Sequence, residues 1–368
     1  MRPIKKIDLL MMKEFLPLFV IGILTFSVLL ISFTLLREAL KYYSEYHLPI
    51  TTITVFFLYG LPQIIAYTFP MSILLASLLT FGRMSQSGEV NALRAAGIDF
   101  IRILLPILVI SYFITCGTFL LNELVAPKST LAAKNYIKSA LTNIGISLSE
   151  KNIAFLDRDG QWLFGAEDSK GNEFYDVKLI DYRNPKMIVV YVAKDAIWDS
   201  NTWVFRDVNL YNLGGRETPF YQSSFEELSI DLNRTPTDIL REGRNPEELS
   251  LKELGNYIES MIRQGVVPQT KIREWQGKYF LKIATPFSCL LFPLIAAPLG
   301  MNPQRGSSTV GMGLSMVMVF IYYFLTTIAV NVAQTGFLPP YVAAWIPNFV
   351  FLVAGIWLNG LYYFKAGR

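Results

Sequence analysis

Between Glu14 and Arg37 the chain reads FLPLFVIGILTFSVLLISFTLL, residues 15–36, with no Asp, Glu, Lys or Arg. Roughly 20 apolar residues in a helix cross the hydrocarbon of a bilayer, where a backbone must satisfy its own hydrogen bonds. A run of this length decides the fold class, because it reads as a spanning helix. The basic residues ahead of it (Arg2, Lys5, Lys6 and Lys13) would also suit a secretory leader. A leader, however, carries only ~7–15 apolar residues and a small-x-small cleavage site, and neither condition is met. The stretch is expected to be a retained first span.

The same test marks Leu48–Phe81, Ile103–Leu121, Ile283–Gln304 and Gly306–Phe364 as charge-free. Pro49, Thr51 and Thr52 make the start of the second stretch polar, which leaves one long span from about Val55. The last stretch is too long for one crossing and breaks at Asn331–Pro340, where Asn, Gln, Gly and a Pro-Pro pair punctuate it. Six spans result, grouped three and three: residues 1–121, a polar insertion over 122–278, and residues 279–368. The whole chain is 52% hydrophobic and 17% charged, against about a quarter charged in soluble domains. Its formal charge of +4 and scattered basic residues give no nucleic-acid-binding stripe. Cys116 and Cys289 both fall within expected spans, so no disulfide framework supports the insertion.

Basic residues place the ends. Arg2, Lys5, Lys6, Lys13, then Arg83, Arg94, Arg102, then Arg305, then Lys365 and Arg368 all fall on one side of a six-span arrangement. The other side's short loops hold only Arg37 and Lys41, offset by Glu38 and Glu45. By the positive-inside rule both termini are expected in the cytoplasm and the insertion in the periplasm or outside the cell.

The insertion reads as β-rich. Asn152–Leu156 and Gln161–Phe164 flank Asp157-Arg158-Asp159-Gly160, a hairpin signal, and Phe174–Tyr182, Met187–Trp198, Thr202–Leu213 and Phe220–Leu232 follow. Turns are expected at Arg183-Asn184-Pro185 and Gly214-Gly215. The alternation of Trp203-Val204-Phe205-Arg206-Asp207-Val208 suits antiparallel strands, and a small jellyroll-like sandwich is the expected fold. Asn245-Pro246-Glu247-Glu248 and the Ser250…Glu253 capping box then open a helix to about Gln264, with a second amphipathic stretch at Gln269–Lys278.

Several functions fall away. Ion-coupled transporters keep charged groups inside their spans, and none lies in these span cores. No Gly-x-x-x-x-Gly-Lys-Ser/Thr loop is present to bind ATP phosphates. The single histidine, His47, has no second histidine for a metal site or triad, and Asp157 with Asp159 suit a turn. No catalytic residue and no cofactor are expected. A passive scaffold or a permease driven from outside remains.

Two places could transmit force or hold a ligand. Ser87 to Ala96 reads as a short helix ended by Gly97, with Glu89 in its first turn, Arg94 in its last, and Val90 and Leu93 on one face. Such a helix would plug into a groove on a separate ATPase, or be no more than an interfacial turn. Arg37 and Lys41, four residues apart past the first span, could hold phosphates of an anionic lipid or merely snorkel as anchors. Pro62, Pro70, Pro286, Pro293 and Pro298 would kink their spans unless neighbours satisfy the freed carbonyls, and Gly311 allows close packing in the fifth.

The run Leu61-Pro62…Tyr67-Thr68-Phe69-Pro70-Met71-Ser72-Ile73-Leu74-Leu75-Ala76-Ser77-Leu78-Leu79-Thr80-Phe81-Gly82-Arg83-Met84-Ser85, followed by Glu89…Ala92-Leu93-Arg94-Ala95-Ala96-Gly97, resembles the YjgP/YjgQ family, the LptF/LptG permeases of lipopolysaccharide export. The resemblance extends over the chain as a layout of three spans, a periplasmic β-jellyroll and three spans. It implies the permease subunit of an ATP-binding-cassette exporter that takes lipopolysaccharide from the outer leaflet of the inner membrane. The implied partners are a second permease subunit (a paralogue or a second copy), a cytoplasmic ATPase dimer and periplasmic lipopolysaccharide-transfer proteins. It implies ATPase contacts at Glu89, Val90, Leu93 and Arg94, lateral gates from spans one and five, and lipid phosphates near Arg37 and Lys41. Two other readings stay open: a membrane-anchored interaction protein without transport, and an ATP-driven permease for another lipid or glycan.

Overall fold

The computed structural model describes residues 6–143, 153–156, 162–170, 173–181, 189–199, 202–212, 222–232, 246–264, 268–301 and 308–366. The helices are α1 (Lys6–Phe33), α2 (Leu35–Ser44), α3 (Ile50–Gln86), α4 (Glu89–Ala95), α5 (Phe100–Leu120), α6 (Ala126–Asn143), α7 (Leu251–Gln264), α8 (Gln269–Gly300), α9 (Ser308–Thr335) and α10 (Pro340–Ala366). Six helical segments are long and apolar enough to cross a membrane: Lys6–Phe33, Ile50–Gln86, Phe100–Leu141, Gln269–Gly300, Val310–Thr335 and Pro340–Leu361. The chain is thus a polytopic helical membrane protein with an antiparallel β domain inserted between its third and fourth spans.

The bundle is built around α3. Its most apolar window is 78% buried, against 33% for α1 and 28% for the fifth span. Small residues along α3 make this possible, since Ser72, Ala76, Ser77 and Thr80 are fully buried. A Cβ added at Gly22 of α1 would stand 3.0 Å from Ser72, and one at Gly300 of α8 would stand 2.9 Å from the Leu78 carbonyl oxygen. Without competing hydrophobic collapse in lipid, close backbone approach of this kind holds helices together. Around these crossings Phe15, Ile73, Leu74, Phe81, Val90, Ile103, Cys289 and Phe292 form one core.

The helices run through their prolines without a break. Pro298 has no N–H to give the Leu294 carbonyl, and the Asn359 Nδ2 of α10 donates to that oxygen at 2.7 Å. Asn348, also on α10, donates to the Ala284 carbonyl at 2.7 Å and accepts from the Tyr322 hydroxyl at 2.9 Å, joining α8, α9 and α10. At the α4 end of the bundle Arg102 pairs with Asp8 at 2.7 Å and Arg83 with Glu14 at 2.8 Å, fixing the start of α1.

The helix that carries the third span runs on past residue 121. Pro127 cannot bond to the Glu123 carbonyl, so the chain makes a π-helical turn at Leu121–Val125 and continues as α6 to Asn143. Beyond α6, six strands pair in sequential order: β1 (Ile153–Leu156), β2 (Trp162–Lys170), β3 (Glu173–Asp181), β4 (Val189–Asp199), β5 (Thr202–Asn212) and β6 (Gln222–Ile230). The turns expected at 157–160, 183–185 and 214–215 lie outside the described residues.

This single sheet makes its own core by creasing. On β3 the buried positions are Phe174, then Val177 and Leu179; on β5 they are Trp203 and Phe205, then Val208. Strict alternation therefore slips by one residue at Asp176 and Asp207, which have φ of 50° and 53°. These two residues stand in line across the strands with Lys194 and Glu226, where the ladder pairing is interrupted in each register. In a flat sheet Phe164 and Trp203 would be three strands and seven residues apart, roughly 25 Å or more. Their ring centroids are 5.3 Å apart. The sheet is folded over along the crease, so both halves bury one face around Phe164, Phe174, Trp203 and Phe205.

Candidate functional site

A cavity of about 970 Å³ lies between α1, α3 and α9, roofed by α2 and α6. Its walls are apolar near Phe26, Leu30, Met71, Met316, Val319 and Phe320, and become polar toward Glu38, Gln63, Thr130, Lys134 and Glu248. Tails and a polar head of one amphiphile would find matching surroundings in it. Exposed apolar side chains on both flanking helices, among them Leu24 and Val28 on α1 and Val317 and Phe324 on α9, suit contact with lipid or another helix.

The polar end is built from residues far apart in sequence. Gln63 Oε1 accepts a hydrogen bond from the Thr130 hydroxyl at 2.7 Å, tying α3 to α6. Lys134, one turn further along α6, forms an ion pair with Glu248, whose side chain is only 4% exposed. Glu248 ends a short 3₁₀ turn, Pro246–Glu248, by which the chain returns from the β domain. Two neighbours pin that return. Lys282 Nζ of α8 donates to the Leu249 carbonyl, and Glu123 in the π-helical turn accepts the Leu251 N–H at 2.8 Å. The expected capping box then starts α7, with the Ser250 N–H donating to Glu253 at 2.9 Å and the Glu253 N–H to the Ser250 hydroxyl at 3.3 Å.

Arg37 and Lys41 do not line the cavity. Both are exposed on α2, and Lys41 lies 4.0 Å from Glu45. The cavity face of α2 is Leu35, Glu38 and Tyr42, at helical spacing. Burial and the Glu38 carboxylate push the Tyr42 phenol above its usual range, so it stays a neutral hydroxyl.

At the opposite end of α3, α4 is held between two left-handed glycines, Gly88 (φ 77°) and Gly97 (φ 78°). Its end is a Schellman motif: the Ile98 N–H reaches the Leu93 carbonyl at 3.0 Å and the Gly97 N–H the Arg94 carbonyl at 2.9 Å. Val90 is 1% exposed in the main core, and Leu93 packs against that core. These two apolar residues face the chain's own bundle, and the outward face presents Glu89, Asn91, Ala92 and Ala95.

The chain matches the family model "Lipopolysaccharide export system permease LptF/LptG" over residues 10–360. It belongs to the LptF/LptG permease family. Among curated relatives it is similar to the lipopolysaccharide export system permease protein LptF of Escherichia coli K12. The two are 19% identical over 320 residues, covering 82% of this chain and 80% of the relative. LptF of Shigella flexneri matches with the same identity and coverage.

In this LptF/LptG permease the residues lining the cavity were only partly visible in the sequence. Lys134 and Glu248 escaped notice because their meeting depends on α6 continuing the third helical segment and on the path back from the β domain. The amphipathic stretch following Leu121 was the available signal. Glu38 was read only as a counter-charge to Arg37 and Lys41, whereas the face of α2 turns it inward.

Proposed function

We propose that this LptF/LptG permease is one half of an ATP-binding-cassette exporter. It would draw lipopolysaccharide from the outer leaflet of the inner membrane and pass it to a periplasmic β-jellyroll bridge. The single observation that carries this reading is the 970 Å³ cavity, apolar between α1 and α9 and polar beneath the return from the β domain. The distribution of basic residues supports cytoplasmic termini and a periplasmic insertion. A second permease subunit, paralogue or second copy, would complete the cavity against α1 and α9. A cytoplasmic ATPase dimer would dock on α4, with Glu89 and Arg94 as its polar contacts and Val90 and Leu93 holding the helix to the bundle. Arg37 and Lys41, exposed beside the rim, would attract anionic lipid before it enters.

Charge reversal at Glu89 tests the docking. Glu89→Lys is expected to abolish co-purification of the ATPase and lipid-stimulated ATP hydrolysis, while elution from a sizing column stays monodisperse. Normal assembly and hydrolysis in that variant would remove α4 as the docking element. Mass spectrometry of lipid carried by the gently solubilised assembly tests the substrate, and a different lipid would keep the mechanism and change its cargo.

A further inference from the structure

Seven-residue spacing puts Arg273, Phe280 and Phe287 on one stripe of α8, each about 10.5 Å beyond the last. That stripe faces α10. Phe280 meets Tyr341 edge-on with ring centroids 6.2 Å apart, and Phe287 meets Trp345 at 5.2 Å. Phe287, Trp345 and, one turn on, Phe349 are all exposed, so the aromatic groove between the helices opens outward. It ends where the helices close, since a Cβ added at Gly355 would stand 3.1 Å from the Leu294 Cβ. None of these residues lines the cavity between α1, α3 and α9. At the head of the groove Arg273 is half-buried, and its guanidinium lies against Gly336, whose missing Cβ leaves it room. Among the described residues Arg273 makes no hydrogen bond or ion pair, unlike Lys271 and Lys278, which both hold Glu274. Residues 269–278 carry three basic groups and one acid, and residues 335–345 carry no charge. Phe337, next to Gly336, is fully open, and an aromatic beside a basic residue at the end of a span suits the bilayer interface.

We propose that the groove between α8 and α10 binds one anionic glycerophospholipid, with its phosphate on Arg273 and an acyl chain along Phe287, Trp345 and Phe349. A guanidinium fork matches two oxygens of a phosphate, and no protein group answers it here. The groove has the polarity of such a lipid, a cation at one end and an apolar strip leading away from it. A partner helix would have to bring its own carboxylate to the level of Arg273. A net negative head is preferred to a zwitterionic one, because an ammonium would meet the basic surplus of residues 269–278 as a like charge. This site lies apart from the cavity and stands whether or not the export reading does.

The test uses the complete chain with its partner subunits in nanodiscs of phosphatidylethanolamine. Phosphatidylglycerol with a photoactivatable acyl chain is added in increasing proportion, and crosslinked peptides are mapped by mass spectrometry. In the wild type, label on the peptides that carry Phe287 and Trp345 should saturate at a low proportion of phosphatidylglycerol. Phosphatidylethanolamine with the same photoactivatable chain should label those peptides only weakly. Arg273→Gln should raise the proportion needed for half-saturation about tenfold or more, the scale of one hydrogen bond to a charged group. Lys252→Gln, at an exposed lysine of α7, should label as the wild type does. Equal labelling by the two lipids in the wild type, an unchanged half-saturation in Arg273→Gln, or the same rise in Lys252→Gln would each overturn the proposal. The comparison of headgroups in the wild type decides the matter even if Arg273→Gln fails to assemble.

Discussion

Replacing Asn359 by Leu separates a hydrogen bond that merely decorates a helix from one that answers a missing donor. Asn359 Nδ2 lies 2.7 Å from the Leu294 carbonyl, the group that Pro298 leaves without its helical N–H. An interhelical hydrogen bond inside a bilayer averages about 0.6 kcal/mol and reaches about 1.7 kcal/mol, and an orphaned carbonyl in hydrocarbon belongs at the upper end. Asn359→Leu also removes Oδ1, a buried oxygen with no partner, which offsets part of the loss. A double-mutant cycle cancels that second effect. In a Pro298→Ala background the Leu294 carbonyl regains its own amide, so Asn359→Leu should cost about 1–2 kcal/mol less there than in the wild type. Cys289 supplies the assay, because it is buried on the same helix while Cys116 is exposed. The rise in maleimide labelling of Cys289 with temperature, in a Cys116→Ser background, gives the midpoint for each corner of the cycle. Equal costs of Asn359→Leu in both backgrounds would refute the proposition that Asn359 compensates for Pro298.

Two other substitutions probe the parts that carry the site. Trp203→Ala empties the centre of the creased sheet, where the ring is fully buried and its centroid lies 5.1 Å from that of Phe174. It should cost about 3–5 kcal/mol, and limited proteolysis should cut within 144–245 while the spans stay intact; wild-type resistance would contradict a single core for the folded-over sheet. Gly97→Ala meets no atom within 4 Å, so its cost comes only from the left-handed backbone, about 1–2 kcal/mol. Gly97→Asn should cost distinctly less, and equal thermal midpoints for the two variants would argue against the Schellman ending of α4.

The spans were legible because a bilayer imposes one requirement that composition alone reports, an uncharged run of sufficient length. Capping signals were equally local. Ser250 and Glu253 form the expected box, and Gly97 ends α4 where its αL preference allows. The strands were placed to within a few residues, but β2 runs on to Lys170, and the expected jellyroll-like sandwich takes the form of one sheet folded over along a crease. The reason is visible at Asp176 and Asp207. The alternation that marks a strand is interrupted there, and a parity slip in sequence looks like irregularity until strands are paired. The candidate site depends most on tertiary packing. Val90 and Leu93 sit at apolar i, i+3 positions that would serve either a partner's groove or the chain's own core, and only packing distinguishes the two. Arg37 and Lys41 stand out in sequence as the basic residues just past α1, and a helical face one residue over turns Glu38 and Tyr42 to the cavity.

What joins the two ends of the site is α3. Its 37 residues run from the cavity wall at Phe56–Met71 to the junction with α4, unbroken by Pro62 or Pro70. From Met71 to Ser87 the rise is about 24 Å at 1.5 Å per residue. Over that distance α3 has little room to move alone, because Gly22 of α1 and Gly300 of α8 bring neighbouring backbones against Ser72 and Leu78. Ser85 adds a hydrogen bond to the Met301 carbonyl at 2.8 Å, and Val90 extends the same core into α4. α4, the halves of α1 and α8 nearest to it, and the floor of the cavity are therefore one packed unit. The fifth span differs, being the least buried of the six, with Gly311 against Leu79 as its tight contact on α3. The cavity thus has one wall continuous with α4 and another, α9, that packs on α3 and, through Tyr322 and Asn348, is joined to α8 and α10. An α4-docked partner and a ligand between α1 and α9 would meet in the same structural unit without touching.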